Sequence, residues 1–164
     1  MTDKVTISEL GGRGDGIAYL NDKQLFIPFS APEDVVEIKL KENKARLRNI
    51  VSPSQYRVEA ECKHFKKCGG CAVQHINKDY YRNWKAGLVR TALENQGLQD
   101  IDVRPLEMSP PRSRRRTTFQ VIGRGDGDIV LGYAEKGSHN LIDIKQCSIL
   151  VPEIEKFITP LKEF

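Results

Sequence analysis

The chain is predicted to be mainly β with some α: a small closed β-barrel followed by a small α+β domain. Three observations predict this. Short apolar segments rich in β-branched residues recur at even spacing over the first third. One long amphipathic stretch follows near the middle, and strand-like segments return after it.

The barrel is read from five segments: Val5 to Ile7, Ile17 to Tyr19, Leu25 to Ile27, Val35 to Ile38, and Ala45 to Ile50. Turn chemistry separates them, with Gly and Asp over 11–16, Asn21-Asp22, and Ala31 to Asp34. Closure is expected because it removes exposed sheet edges. In the last segment Leu47 faces one way while Arg46 and Arg48 face the other, so that one face enters the core and the other is cationic. Ser52-Pro53-Ser54 suggests a boundary, giving domains at 1–57 and 58–164.

A helix is predicted over 77–96. Asn77 is placed to cap it, Asp79 sits in its first turn, and Gly97 ends it. Tyr81, Trp84, Leu88 and Ala92 share one side, which reads as a core face rather than a base-stacking platform. Strands are then expected at Val103 to Met108, Thr117 to Ile122, Ile129 to Ala134 and Leu141 to Ile144. From Pro152 a further helix starts and is interrupted at Pro160. Gly-Arg-Gly-Asp-Gly occurs at 12–16 and 123–127 with unrelated flanks, which makes two similar turns and no duplication.

Composition sets the functional bounds. The 164 residues are 39% hydrophobic and 29% charged, which suits folded domains and argues against wholesale disorder. No apolar run approaches the roughly 18 residues of a membrane span, and the first residues lack the apolar core of a secretory signal. A cytoplasmic setting is the expectation, and there cysteines serve as metal ligands or reactive thiols more readily than as disulfides. The formal charge of +4 is compatible with an anionic partner.

Four cysteines carry the strongest signal: Cys62, Cys68, Cys71 and Cys147. Cys68-Gly69-Gly70-Cys71 is a tight turn whose glycines allow both thiolates to converge on one ion. Spacing alone leaves two metal readings open. One is an iron–sulfur cluster with three ligands together and one distant. The other is a zinc site that His64 or His75 could complete.

The run Cys62-x5-Cys68-Gly-Gly-Cys71-x-x-Gln74-His75, followed by a basic helix, resembles the iron–sulfur signature of the RNA uracil-5 methyltransferase family. Cys147 in Asp143-Ile144-Lys145-Gln146-Cys147 matches that family's fourth ligand. Arg114-Arg115-Arg116-Thr117-Thr118-Phe119 through Leu131-Gly132-Tyr133 resembles its arginine-rich central strand pair. Gly14-Asp15-Gly16-Ile17-Ala18 and Phe26-Ile27-Pro28 are similar to its TRAM domain, an RNA-binding barrel of the OB type. The resemblance implies a [4Fe-4S] cluster on the four cysteines and an RNA partner, with ribosomal RNA favoured. It also implies S-adenosylmethionine as the methyl donor of the enzyme family. With all four cysteines matched to the cluster, no thiol is left as a nucleophile, and no glycine-rich stretch lies between a strand and a helix to hold the methyl donor. The chain is therefore expected to be the N-terminal two-domain part of such an enzyme, without methyl transfer of its own. The rival expectation is a stand-alone zinc- or cluster-containing RNA-binding protein. Neither reading calls for an obligate protein partner.

Candidate RNA contacts are the arginine run Arg112, Arg114, Arg115 and Arg116, the loop lysines Lys63, Lys66 and Lys67, and Arg46 and Arg48 on the barrel. Tyr19, Phe26, Phe65 and Phe119 are the candidate stacking rings. Phe65, between charged neighbours, is expected to face a partner, and Phe26 and Phe119 to sit in the core. His64 and His75 read as structural, with His75 expected to bond within the cysteine loop.

Overall fold

The computed structural model describes residues 2–41, 44–123, 125 and 127–163. Its chain forms two compact units, one of residues 1–59 and 72–107, the other of residues 60–71 and 108–164.

The first unit is the barrel-like part, with six short strands among the described residues where five were expected: β1 Asp3–Thr6, β2 Glu9–Leu10, β3 Gly16–Leu20, β4 Lys23–Ile27, β5 Val35–Lys41 and β6 Lys44–Ser52. They make two antiparallel sheets, ordered β1-β5-β6 and β2-β3-β4, rather than one continuous ladder. The chain switches sheets between β1 and β2. The Ile7 amide bonds to the Asp34 carbonyl, while the next amide, Ser8, bonds to Ile17 of the other sheet. Such corners let two small sheets share one core. That core takes Val5, Ile7, Ala18, Leu25, Ile27, Val36, Ile38 and Ala45, contributed by both sheets.

Alternation decides which side chains enter it. Leu25 and Ile27 point inward, so Phe26 between them points out and is 54% exposed, contrary to the core role expected for it. On β6 the same rule buries Ala45 and leaves Arg46 and Arg48 exposed, with Leu47 packed on the core.

Asp34 anchors the turn before β5. It is fully buried and accepts from the amides of Ala31 at 2.6 Å and Ser54 at 3.0 Å, and it forms an ion pair with Arg57. Burial pushes its carboxyl up, but the Arg57 hydrogen bond and the two amides outweigh that and hold it below the usual carboxylate range.

Helix α1, Lys78–Glu94, belongs to this unit and keeps the expected start and stop. The Asn77 side chain accepts from the Tyr80 amide at 2.8 Å. At the other end Gly97, at φ +79°, lets its own amide reach Glu94 and that of Leu98 reach Leu93, which satisfies the last carbonyls. Tyr80, Tyr81 and Trp84 pack on Leu10, Ala31 and Ile76, and the Trp84 indole donates to the Leu10 carbonyl at 3.2 Å. Tyr81 and Trp84 pack as their spacing predicted, but the expected core face does not run the length of the helix, since Leu88 is only half-buried and Ala92 is exposed.

The second unit holds one antiparallel sheet, ordered β7-β8-β9: β7 Gln120–Gly123, β8 Ile129–Ala134 and β9 Leu141–Asp143. The short helix α2, Pro152–Glu155, and a single 3-10 turn at Pro160–Lys162 follow. Leu131, Ile144 and Ile158 form its core, with Phe119 packed against them and its ring 5.5 Å from that of Tyr133. The strand expected at Val103 to Met108 does not form. Pro105 lacks the amide a ladder needs, and no strand among the described residues pairs with this stretch. The strand expected from Thr117 begins only at Gln120. Ahead of it the Thr117 hydroxyl bonds the Tyr133 hydroxyl at 2.6 Å instead of extending a ladder.

Candidate cysteine centre and nucleic-acid interface

All four cysteines fall in the second unit. Cys62, Cys68 and Cys71 are half-buried on the loop at 60–71, and Cys147 is buried. The loop is wound tightly, since the Phe65 amide bonds to the Cys62 carbonyl and the Cys68 amide to that of His64. This winding turns Phe65 inward. The ring is 9% exposed, so it stabilises the loop and does not stand out toward a partner as its charged neighbours suggested.

The loop is tied to β8 and to the hairpin after it. The Gly69 amide donates to Ala134 and the Lys136 amide to Lys67, with Cys68 bridged to Glu135. Gly69 has to be glycine here, because a Cβ would lie 2.9 Å from the Ala134 carbonyl oxygen. His64 reaches the segment that leads into Cys147, its Nε2 accepting from the Lys145 amide at 3.4 Å. His75 lies in the other unit, where its Nε2 meets the Ser30 carbonyl at 3.0 Å, so it holds the barrel rather than the cysteine loop.

Burial pushes the Cys68 thiol above its usual range. Nearby charge on Cys62 and Cys147 would push it further, and the Gly70 amide, 3.4 Å from its sulfur, works in the opposite sense. Gathering several thiolates is therefore costly unless a cation compensates them. Among the described residues no three His, Cys, Asp or Glu side chains are drawn together closely enough to hold a metal ion. The donor chemistry, four thiols in one unit, suits zinc or an iron–sulfur cluster.

Cys147 and the arginine run share one frame. The Cys147 amide donates to Glu155 Oε1 at 2.9 Å, while Glu155 Oε2 pairs with Arg112. The Cys147 amide, opposed by burial and helped by Arg112, holds the Glu155 carboxyl below its usual range. Arg114 is bridged to Leu150 on both sides, its amide donating to Ile149 and its carbonyl accepting from Val151. Sequence reasoning missed Glu155, and only the fold brings it to Cys147.

Arg112, Arg114, Arg115 and Arg116 are all exposed, although Arg112 is committed to Glu155. The other three line an open groove of about 740 Å³ together with Ile154, Phe157 and Leu161. Lys63, Lys66 and Lys67 are exposed on the cysteine loop, and Arg46 and Arg48 on β6. Among the described residues no helix is long and apolar enough to cross a membrane.

Residues 4–56 match the family model described as the tRNA (uracil(54)-C(5))-methyltransferase TRAM domain. Over 162 residues the chain is 40% identical to an uncharacterized RNA methyltransferase of Brucella suis, covering 99% of this chain and 39% of that protein. A second, from Caulobacter vibrioides, is 38% identical over 152 residues, 92% of this chain and 36% of the relative. The 23S rRNA (uracil(1939)-C(5))-methyltransferase RlmD of Pectobacterium carotovorum is 32% identical over 166 residues, 97% of this chain and 37% of the relative. The chain thus spans about two fifths of the length of the curated relatives it matches. Residues 4–56 thus carry the TRAM domain of the tRNA/rRNA uracil-C5-methyltransferase family, and the chain as a whole is similar to the N-terminal part of RNA methyltransferases, the 23S rRNA type among them.

Proposed function

We propose that this chain is the RNA-binding and [4Fe-4S]-holding N-terminal module of an S-adenosylmethionine-dependent RNA (uracil-5-)-methyltransferase that acts on ribosomal RNA in the cytoplasm. The observation that supports the cluster reading is that Cys147 falls in the same compact unit as Cys62, Cys68 and Cys71, across a gap of more than seventy residues. The ribosomal substrate is supported by the likeness to the Pectobacterium enzyme named above.

Cys62, Cys68, Cys71 and Cys147 would hold the cluster, with the loop at 60–71 closing on Cys147. When bound, the cluster supplies a four-point cross-link between that loop and the end of the sheet, and methyl transfer to uracil asks no electrons of it. Around it, Glu155 fixes the Cys147 backbone, His64 fixes Lys145, and Gly69 lets the loop lie against β8. Arg114, Arg115, Arg116 and the loop lysines present positive charge beside this centre and would position RNA phosphates. A uridine held this way would be extruded toward the catalytic site for chemistry on its base.

The deciding experiment is the iron, acid-labile sulfide and zinc content of protein purified without oxygen, with its visible spectrum. About four irons and four sulfides per chain are expected, and Cys68→Ser should lose both. Zinc without sulfide overturns the cluster and favours a zinc-dependent RNA-binding module.

A further inference from the structure

We infer that the Tyr133 hydroxyl is the hydrogen-bond donor that serves the Cys147 sulfur, and that it raises the reduction potential of a cluster held there. This rests on the cluster reading and deepens it by naming a positioning residue that ligates nothing itself.

Strand period brings Tyr133 to this place. Leu131 and Tyr133 lie two apart on β8 and share one face. Leu131 packs with Ile144 and Ile158, and Tyr133 packs against the same core. The Ile144 amide donates to the Leu131 carbonyl, and Cys147 follows three residues later. The Phe119 ring, 5.5 Å away, restricts how the Tyr133 ring can turn. The Cys147 side chain comes close enough to share a hydrogen bond with the Tyr133 hydroxyl.

The backbone leaves this role open at Cys147. At Cys68 a main-chain amide serves the sulfur, that of Gly70 at 3.4 Å. Around Cys147 the amides go to other acceptors. Its own donates to Glu155, that of Lys145 to His64 and that of Leu150 to the Cys147 carbonyl.

The Tyr133 hydroxyl has one proton, and its direction follows from its neighbours. Thr117 Oγ1 stands 2.6 Å away, a distance at which either oxygen can donate. A metal-bound thiolate is anionic and draws the stronger donor, which is the phenol. Thr117 then donates to the Tyr133 oxygen, and the relay runs from Thr117 through Tyr133 to Cys147. Burial pushes the Tyr133 hydroxyl above its usual range, so it keeps its proton; the Thr117 bond opposes this and the charge on Cys147 adds to it.

Hydrogen bonds to the sulfurs are among the factors that set a cluster's potential. Reduction adds negative charge to the cluster and its thiolates. A donor aimed at one sulfur therefore stabilises the reduced form more and raises the potential. Because this donor is a side chain, one substitution removes it. Tyr133→Phe deletes the oxygen and keeps the ring against Phe119.

The test is a redox titration of the whole chain, purified without oxygen and carrying its cluster, followed by visible and electron paramagnetic resonance spectra. At the poise that leaves the parent half reduced, Tyr133→Phe should show a ratio of reduced to oxidised cluster at least about fivefold lower. Its iron and sulfide content should match the parent. Thr117→Val should move the ratio the same way by less. Phe119→Leu loosens the ring packing without touching the hydroxyl, and should lower the melting temperature while leaving the ratio in place. The terminal iron–sulfur stretch in the resonance Raman spectrum gives a second reading that needs no reduction, and it should rise in Tyr133→Phe. A parent-like ratio and stretch in Tyr133→Phe overturn the inference and leave the cluster standing. A shift in Phe119→Leu as large as that in Tyr133→Phe also overturns it, since packing would then be the cause. If Tyr133→Phe fails to hold a cluster, Thr117→Val decides: a lowered ratio supports the relay and an unchanged one overturns it. Zinc without sulfide in the parent overturns the cluster reading and this inference together.

Discussion

Glu155 holds Cys147 by its backbone: Oε1 accepts the Cys147 amide at 2.9 Å while Oε2 pairs with Arg112. One carboxylate thus joins α2, the last cysteine and the first arginine of the basic run. Its side chain is 20% exposed, so its bonds are partly shielded from water. Glu155→Ala removes both bonds and is expected to destabilise the second unit by about 1.5–3 kcal/mol, the usual cost of losing a hydrogen bond to a charged group. Glu155→Gln keeps an acceptor for the Cys147 amide and should cost less. Urea unfolding of the two variants beside the parent checks the order, and equal stability of all three would count against the clamp.

The Asp34–Arg57 pair makes an acid-sensitive joint in the barrel. Asp34 is fully buried, and its carboxyl is held below the ordinary value of 3.8 because hydrogen bonds from Arg57, Ala31 and Ser54 outweigh the burial cost. A group whose pKa is lower in the folded state contributes stability above its unfolded pKa and loses it as pH falls through the folded one. Stability should therefore hold at neutral pH and decline from about pH 4 downward. Arg57→Ala strands a buried carboxylate and should cost about 3–5 kcal/mol at pH 7. Asp34→Asn should remove part of the decline below pH 4. Denaturant midpoints at pH 7 and pH 3 would show it, and an unchanged acid slope in Asp34→Asn would argue against this origin.

Strand period and helix ends were legible in the sequence because they depend on neighbours in the chain. Asn77 and Gly97 mark α1 through local backbone bonds, and β4 alternates throughout, while β6 alternates only up to Leu47, ahead of a register shift against β5. The same alternation already carried the signal that Phe26 faces outward, since Leu25 and Ile27 bracket it, but its apolar surroundings suggested a core role. Pairing was less legible. The stretch at 103–108 has apolar residues but also Pro105, and a strand exists only if a partner meets it. The burial of Phe65 depends on the winding of its own loop, and the Glu155–Cys147 clamp on a turn that returns α2 to the cysteine. No residue spacing encodes either of these. For the cysteines, spacing pointed to metal chemistry without choosing between zinc and iron.

Two glycines of the β7-β8-β9 sheet should respond differently to alanine. At Gly132 an added Cβ would lie 1.9 Å from the Ile142 carbonyl oxygen, which is backbone and cannot turn aside. β9 would have to move, and with it Ile142 and Ile144 of the core. At Gly123 an added Cβ meets nothing within 4 Å. Gly132→Ala should destabilise by at least about 1–3 kcal/mol, the range for overpacking. Gly123→Ala should be close to neutral. Thermal melting of the two variants separates them, and similar losses at both would contradict the close approach of β9 to β8.

The arginines of the basic run should divide by their partners. Arg115 and Arg116 are exposed and border the open groove, whereas Arg112 is taken by Glu155. A side chain that neutralises a phosphate releases counterions, and each such contact adds about 0.7 to the slope of log affinity against log salt for a single strand. Arg115→Ala and Arg116→Ala should therefore each lower that slope by roughly this amount and weaken RNA binding most at low salt. Arg112→Ala should change the slope less and stability more, since its loss leaves Glu155 without its cation. RNA titrations between about 50 and 200 mM salt, paired with melting curves, separate the two roles. A full slope change in Arg112→Ala with unaltered melting would move Arg112 from the frame to the RNA surface.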